Sequence, residues 1–223
     1  MVKLMLALDV MDKNKALTMV DEISKYIDAI KIGYPLVLSS GLDIVKEIKD
    51  KTNKEVICDF KVADIPSTNE KIAKLTLNYA DGIICHGFVG RDSVEAIQKI
   101  AKQYEIKTHH KKKVIMVTEM SHPGAVEFMQ PIADKLAEVA KILNVDGIVA
   151  PSTRPERLTK IKKIVGNIPI ISPGIGAQGG ELNAVLDILG EDDYIIVGRA
   201  IYKSENPKES AYKYSMLLKG HNG

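Results

Sequence analysis

Apolar residues along this 223-residue chain fall into two alternating kinds of stretch. Short runs rich in Val and Ile predict strands over 3–8, 29–32, 56–60, 82–86, 114–117, 147–150, 168–172 and 194–197. Longer stretches, with apolar positions recurring every three or four residues, predict helices over 13–27, 42–52, 68–78, 93–103, 132–143, 155–165, 181–189 and 207–218. Strand followed by helix, repeated about eight times near the lower size limit, is the arithmetic of a (β/α)8 TIM barrel. An open doubly wound sheet shows the same alternation, which alone does not separate the two. No Pro/Gly/Ser linker interrupts the pattern, so residues 1–223 read as a single α/β domain.

Composition narrows the function classes. Lys and Arg total 31 against 29 Asp and Glu, and a net charge of +2 gives no reason to expect a nucleic-acid or membrane-surface binder. No apolar run reaches the roughly 18 residues of a membrane span. The N-terminal run lacks a cationic n-region and a cleavage site and is cut short by Asp9, so it does not read as a signal peptide. Two cysteines, Cys58 and Cys85, sit inside apolar runs and are too few for a zinc cluster. They read as small buried hydrophobes of a reducing, cytoplasmic protein. The basic stretch from His109 to Lys113 reads as a solvated loop.

Polar residues recur at the predicted strand ends: Asp9, Lys31, Asp59 with Lys61, His86, Glu119, Ser152, Ser172 and Arg199. In a barrel the strand ends carry the chemistry, while the interior is packed with apolar side chains. The third strand is the densest, with Asp59-Phe60-Lys61-Val62-Ala63-Asp64-Ile65-Pro66. Alternation along a strand directs Asp59 and Lys61 to one side and Phe60 to the other. Lys31 lies between Ile30 and Ile32 on the preceding strand, where an inward lysine needs a carboxylate partner. Lys31, Asp59, Lys61 and Asp64 therefore form an expected row of alternating charge. Asp64 also fits a plain helix-entry carboxylate. Because buried ion networks stabilise less well than apolar packing, the row reads as catalytic rather than structural.

Near the C-terminus, Ser172-Pro173-Gly174-Ile175-Gly176-Ala177-Gln178-Gly179-Gly180 is followed by Gly198-Arg199. Glycines let backbone amides approach an anion, and Arg199 adds a charged fork. The loops after the last two strands of a (β/α)8 barrel are a frequent phosphate grip. The same segment satisfies GxGxxG, but a dinucleotide fold places that turn near the start of a domain. A phosphate cradle is the preferred reading. Ser121-His122-Pro123-Gly124 reads as a loop shaped to close over a ligand, not as a nucleophile and base, because no nucleophile elbow surrounds Ser121.

Taken in order and spacing, these segments resemble the orotidine 5'-phosphate decarboxylase family, in its short, single-domain microbial form. The resemblance runs from Leu8-Asp9-Val10 to Gly198-Arg199-Ala200-Ile201-Tyr202, with the D-F-K-x-x-D-I-P element at Asp59 to Pro66 as its most specific piece. It implies a (β/α)8 homodimer that converts orotidine monophosphate to UMP and CO2, the last step of de novo UMP synthesis, without metal or organic cofactor. By resemblance, Lys61 is the general acid, Asp59 sits beside the substrate carboxylate, and Lys31 holds the charge network and contacts the ribose. Asp9 binds a ribose hydroxyl, while Asp64, Ile65 and Thr68 reach into the partner's site. Ser121 contacts the base, Pro173 lines the pocket, and Gln178, Arg199 and the Gly198 amide hold the phosphate.

Two other readings remain open. Keto-gulonate phosphate decarboxylases and hexulose phosphate synthases of the same superfamily share a D-x-K-x-x-D strand but use magnesium. A catalytically silent nucleotide-binding barrel would bind UMP without turnover, though a pure binder has no need of the costly charge row.

Overall fold

The structure, a computed structural model, describes residues 1–174 and 179–221. Eight parallel strands close into a barrel in chain order: β1 (Lys3–Ala7), β2 (Ala29–Gly33), β3 (Glu55–Val62), β4 (Gly82–His86), β5 (Lys113–Val117), β6 (Gly147–Val149), β7 (Ile170–Pro173) and β8 (Tyr194–Val197). β8 pairs back with β1, so no edge is left and the open-sheet alternative is excluded. The outer ring comprises α1 (Lys13–Ile23), α2 (Tyr34–Ser40), α3 (Ile44–Thr52), α4 (Pro66–Leu77), α5 (Arg91–Thr108), α6 (Ala125–Phe128), α7 (Ala133–Leu143), α8 (Pro155–Val165), α9 (Gly179–Leu186), α10 (Arg199–Tyr202) and α11 (Pro207–Gly220). The pattern-based reading has no counterpart for α2, α6 and α10, which at four to seven residues are too short to show a period.

Strand alternation builds two apolar layers. Met5, Ala29, Ile57, Ile84, Ile115, Val149, Ile171 and Ile196 fill the barrel interior. Their sequence neighbours, such as Ile30, Cys58, Ile83, Cys85 and Ile170, pack outward against the helices. Burial on both faces explains why these strands are nearly continuous apolar runs. Both cysteines belong to the outer layer, free and buried, as expected.

The bottom of the barrel is stapled by a repeat. Asp28, Asp81, Asp146 and Asp193, each immediately before an even-numbered strand, accept a hydrogen bond from the N–H of Leu4, Val56, Val114 and Ile170 at the start of the preceding strand, at 2.7–3.1 Å. Lysines add to this end: Lys113 pairs with Glu55 at 2.5 Å and Lys111 with Asp146 at 2.6 Å. The solvated-loop reading holds for His109, His110 and Lys111, which are exposed outside helix and strand, and is corrected for the last two residues. Lys113 belongs to β5, and Lys112 is buried with its ammonium donating to the Ala80 carbonyl at 2.6 Å. Hydrogen bonding to a buried carbonyl gives that cation a place under the barrel. Among the described residues, no helix is long and apolar enough to cross a membrane.

Candidate active site

The C-terminal mouth of the barrel brings the charged row together from three directions. Lys31 and Asp59 share the inward parity of Ala29 and Ile57, one layer higher. At β3 the pairing with β4 shifts: Cys58 faces Ile83, whereas Val62 faces Cys85, so β3 carries extra residues in a bulge. Lys61 sits in that bulge at φ 44°, a left-handed conformation uncommon for a side-chain-bearing residue and typical of strained functional positions. Simple alternation is thus broken, yet the bulge aims Lys61 back at Asp59.

Asp59 is the hub. Lys61 Nζ donates to both carboxylate oxygens, at 2.7 and 2.8 Å, and Lys31 Nζ reaches Oδ2 at 2.7 Å. The Asp59 and Lys31 side chains are 8% and 9% exposed, whereas Lys61 keeps 33% of its side chain accessible, so the second ammonium is the one a ligand can meet. Burial alone pushes the Asp59 carboxyl up, but Lys31 and then Lys61 outweigh it and hold it below the usual carboxylate range. Asp59 therefore stays ionised.

Asp64 does not join this row within the chain. Its exposed carboxylate accepts from the Ile65 N–H at 2.7 Å at the entry to α4, the helix-entry arrangement that its position also fitted. Ile65 is exposed, and half-buried Thr68 lies in the first turn of α4. Around the mouth, Tyr34 stacks on Phe60 with ring centroids 4.9 Å apart, which anchors the start of α2 to β3.

The remaining expected residues surround the mouth. A Cβ on Gly33 would lie 3.2 Å from Asp9 Oδ1, so the end of β2 comes close against the Asp9 carboxylate. Burial and Asp9 raise the Tyr202 phenol, against Arg199 and Lys31, which places Asp9, Arg199 and Lys31 around one side chain of α10. Gly198 leads directly into α10 from β8, and Arg199 is exposed at its first position. Pro173 ends β7 with the inward parity of Ile171. Gly174 follows at φ 109°, where a Cβ would stand 2.6 Å from Thr153 and 3.2 Å from Ser121, so the loops after β5, β6 and β7 converge there and require glycine. Gln178 lies outside the described residues.

Three strand-end polar residues serve structure instead. Buried Glu119 accepts from Arg154 Nε at 2.9 Å and Arg157 Nε at 3.0 Å, clamping the β5 loop to α8. Ser172 has the outward parity of Ile170; its hydroxyl lies 2.6 Å from that of Ser152 and donates to the Ala150 carbonyl. A strand-end position alone does not distinguish these clamps from ligand contacts. The barrel's other end holds a separate cavity of about 500 Å³, where Lys111 pairs with Asp146, Lys113 with Glu55 and Lys3 with Asp192. The mouth, where Lys61 in its left-handed conformation meets Asp59 and Lys31, is the candidate site.

The sequence model of the orotidine 5'-phosphate decarboxylase / HUMPS family matches residues 2–214. The chain belongs to this family. It is 66% identical over 218 residues to the orotidine 5'-phosphate decarboxylase of Methanocaldococcus jannaschii, covering 98% of this chain and 99% of that protein. It is 44% identical over 219 residues to the orotidine 5'-phosphate decarboxylase of Pyrococcus abyssi, covering 97% of this chain and 99% of the other. Among solved structures, the M. jannaschii orotidine 5'-monophosphate decarboxylase complexed with the inhibitor BMP superposes with a TM-score of 0.92, covering 98% and 99% of the two chains. The corresponding Sulfolobus solfataricus enzyme superposes at 0.82 with 28% identity, covering both chains fully. The family's barrel is thus maintained here at both high and low sequence identity.

Proposed function

We propose that this protein decarboxylates orotidine 5'-monophosphate to UMP and CO2, with Lys61 as proton donor and without metal or organic cofactor. The observation that carries the reading is the Lys61 ammonium, held by both Asp59 oxygens and accessible from the mouth. Near-full-length similarity to decarboxylases of that name supports the substrate.

In this reading, the bond between the ring carbon and its carboxylate breaks and CO2 leaves. The electron pair stays on the ring carbon, which takes a proton from Lys61; the amine then regains a proton from water. Negative charge moving toward a fixed ammonium is stabilised more in the transition state than in the ground state. Asp59 keeps Lys61 protonated and in place, and Lys31 keeps Asp59 ionised. Arg199 and the Gly198 amide, with Gln178, would hold the phosphate; Asp9 and Lys31 the ribose; Ser121 and Pro173 the base. Both Asp59 oxygens already face ammonium groups, so a metal ion placed there would meet two positive charges, which favours cofactor-free chemistry.

The proposal includes a homodimer in which Asp64, Ile65 and Thr68 reach the partner's site. Its support is a set of exposed apolar side chains after β2, β3 and β4, namely Tyr34, Leu38, Ile65 and Phe88, together with the exposed Asp64, whose carboxylate accepts only from the Ile65 N–H among the described residues.

The test is to mix the protein with orotidine 5'-monophosphate and follow the pyrimidine absorbance. Turnover that survives EDTA is expected. No turnover by folded protein refutes the substrate, and strict magnesium dependence favours the sugar-phosphate branch.

A further inference from the structure

His86 ends β4, and the mechanism above makes no use of it. It shares the inward parity of Ile84, while Ile83 and Cys85 pack outward, so the imidazole stands in the mouth on the layer of Lys31 and Asp59. Cys85 pairs with Val62, which makes His86 a diagonal neighbour of Lys61 across the β3 bulge. Phe88 covers the ring, with centroids 4.7 Å apart. Only 9% of the residue is exposed, and among the described residues its Nδ1 is the one buried side-chain polar atom with no hydrogen-bond partner. Leaving such an atom unpaired is destabilising, and in a native fold it calls for a reason.

Burial and the Lys61 charge, opposed by Asp59, push the imidazole down to about 4, so it is neutral at pH 7. A neutral imidazole has one bare nitrogen. Nδ1 meets neither donor nor acceptor among the described residues, so with the proton on Nε2 its lone pair is free to accept from a group brought beside it.

Lys61 has three N–H donors, of which two are engaged on Asp59. We infer that His86 is a positioning residue for Lys61: when a nucleotide fills the mouth, Nδ1 accepts a hydrogen bond from the Lys61 ammonium in place of one of its two Asp59 contacts, which leaves the third N–H for the reacting carbon. Replacing a carboxylate by a neutral acceptor weakens the hold on the ammonium proton, which suits a group about to give it up. His86 itself takes up no proton. This inference rests on the proton-donor reading of Lys61.

The first test is ¹⁵N NMR of the imidazole while UMP is titrated into the wild-type protein. The Nδ1 resonance is expected to move in the direction of hydrogen-bond acceptance, and to stay put when the same titration is made with Lys61→Ala. An unmoved resonance, or the same movement in Lys61→Ala, overturns the inference. The second test compares variants. His86→Asn places an amide atom near Nδ1 and should keep kcat within several-fold, whereas His86→Gln, which reaches toward the Nε2 position, and His86→Leu should lose about 100-fold. KM should change little in all three. Wild-type kcat in His86→Leu, or equal losses in folded His86→Asn and His86→Leu, overturns it. Absence of turnover by the wild-type protein removes the decarboxylase reading and this inference together; normal wild-type turnover with an unmoved Nδ1 removes only the inference.

Discussion

Replacing Lys31 by Met tests how the charge row is held together. The substitution keeps the apolar stem and removes the ammonium 2.7 Å from Asp59 Oδ2. At an effective dielectric constant of about 20, a unit pair at that separation has a gross attraction of ~6 kcal/mol. Relief of the lysine's own desolvation offsets part of it, and breaking a buried pair from one side costs about 3–5 kcal/mol net. Both side chains are more than nine-tenths buried, so screening by solvent removes little of this. For a domain of this size each kcal/mol shifts Tm by about 2–4 °C, which gives a loss of roughly 6–20 °C at pH 7. The sign with pH follows from Asp59. Its folded pKa is depressed below the unfolded value of about 3.9, so its stabilisation is present above that value and is lost as pH falls through the folded pKa. Without Lys31, burial raises the carboxyl, which then protonates earlier. The gap between variant and wild type should therefore be full at pH 7 and narrow as the pH is lowered through 4. Denaturant titrations at both pH values measure it. A variant as stable as wild type at pH 7, or a gap independent of pH, would refute the assignment of Asp59 as an ionised hub.

Burial pushes the thiols of Cys58 and Cys85 up to about 12, so neither should react with iodoacetamide at pH 8 until the protein unfolds; rapid alkylation of the native chain, read by mass spectrometry, contradicts that packing. Gly174→Ala forces a Cβ to within 2.6 Å of Thr153 at φ 109°, and should lower Tm and raise KM together by disturbing the β5–β7 loop contact; unchanged values for both contradict the loop geometry. Mixing inactive Lys61→Ala and Asp64→Ala proteins should restore part of the activity through hybrid dimers with one intact site. No recovery, with subunit exchange shown, argues against Asp64 crossing over.

The barrel was legible in the sequence because burial on both strand faces writes an apolar run for every strand, and all eight were found within two residues at either end. Lys31, Asp59 and Lys61 were legible for the same reason: charges in such runs are conspicuous. The direction of Lys61 was expected from alternation, yet the structure delivers it through a bulge, which depends on pairing with β4 and leaves no trace in period. Glu119 and Ser172 looked like mouth residues because the partners that occupy them, Arg154, Arg157 and Ser152, lie 20 to 38 positions away. Lys112 was missed likewise, since its acceptor is the distant Ala80 carbonyl. The aspartates at 28, 81, 146 and 193 did carry a signal, each preceding a strand as Asp-x-Ile, but unequal spacing hides the repeat until the strands are aligned in space.

Turnover in the proposed reaction depends on the ammonium of Lys61 and its transfer of a proton to carbon. Measuring the turnover of orotidine 5'-monophosphate by Lys61→Ala, beside its affinity for UMP, tests this most directly. The predicted result is a kcat/KM lower by at least about 10⁴-fold, the upper range for a general acid, with UMP binding within a few-fold of wild type. Near-normal turnover in that variant would contradict the account.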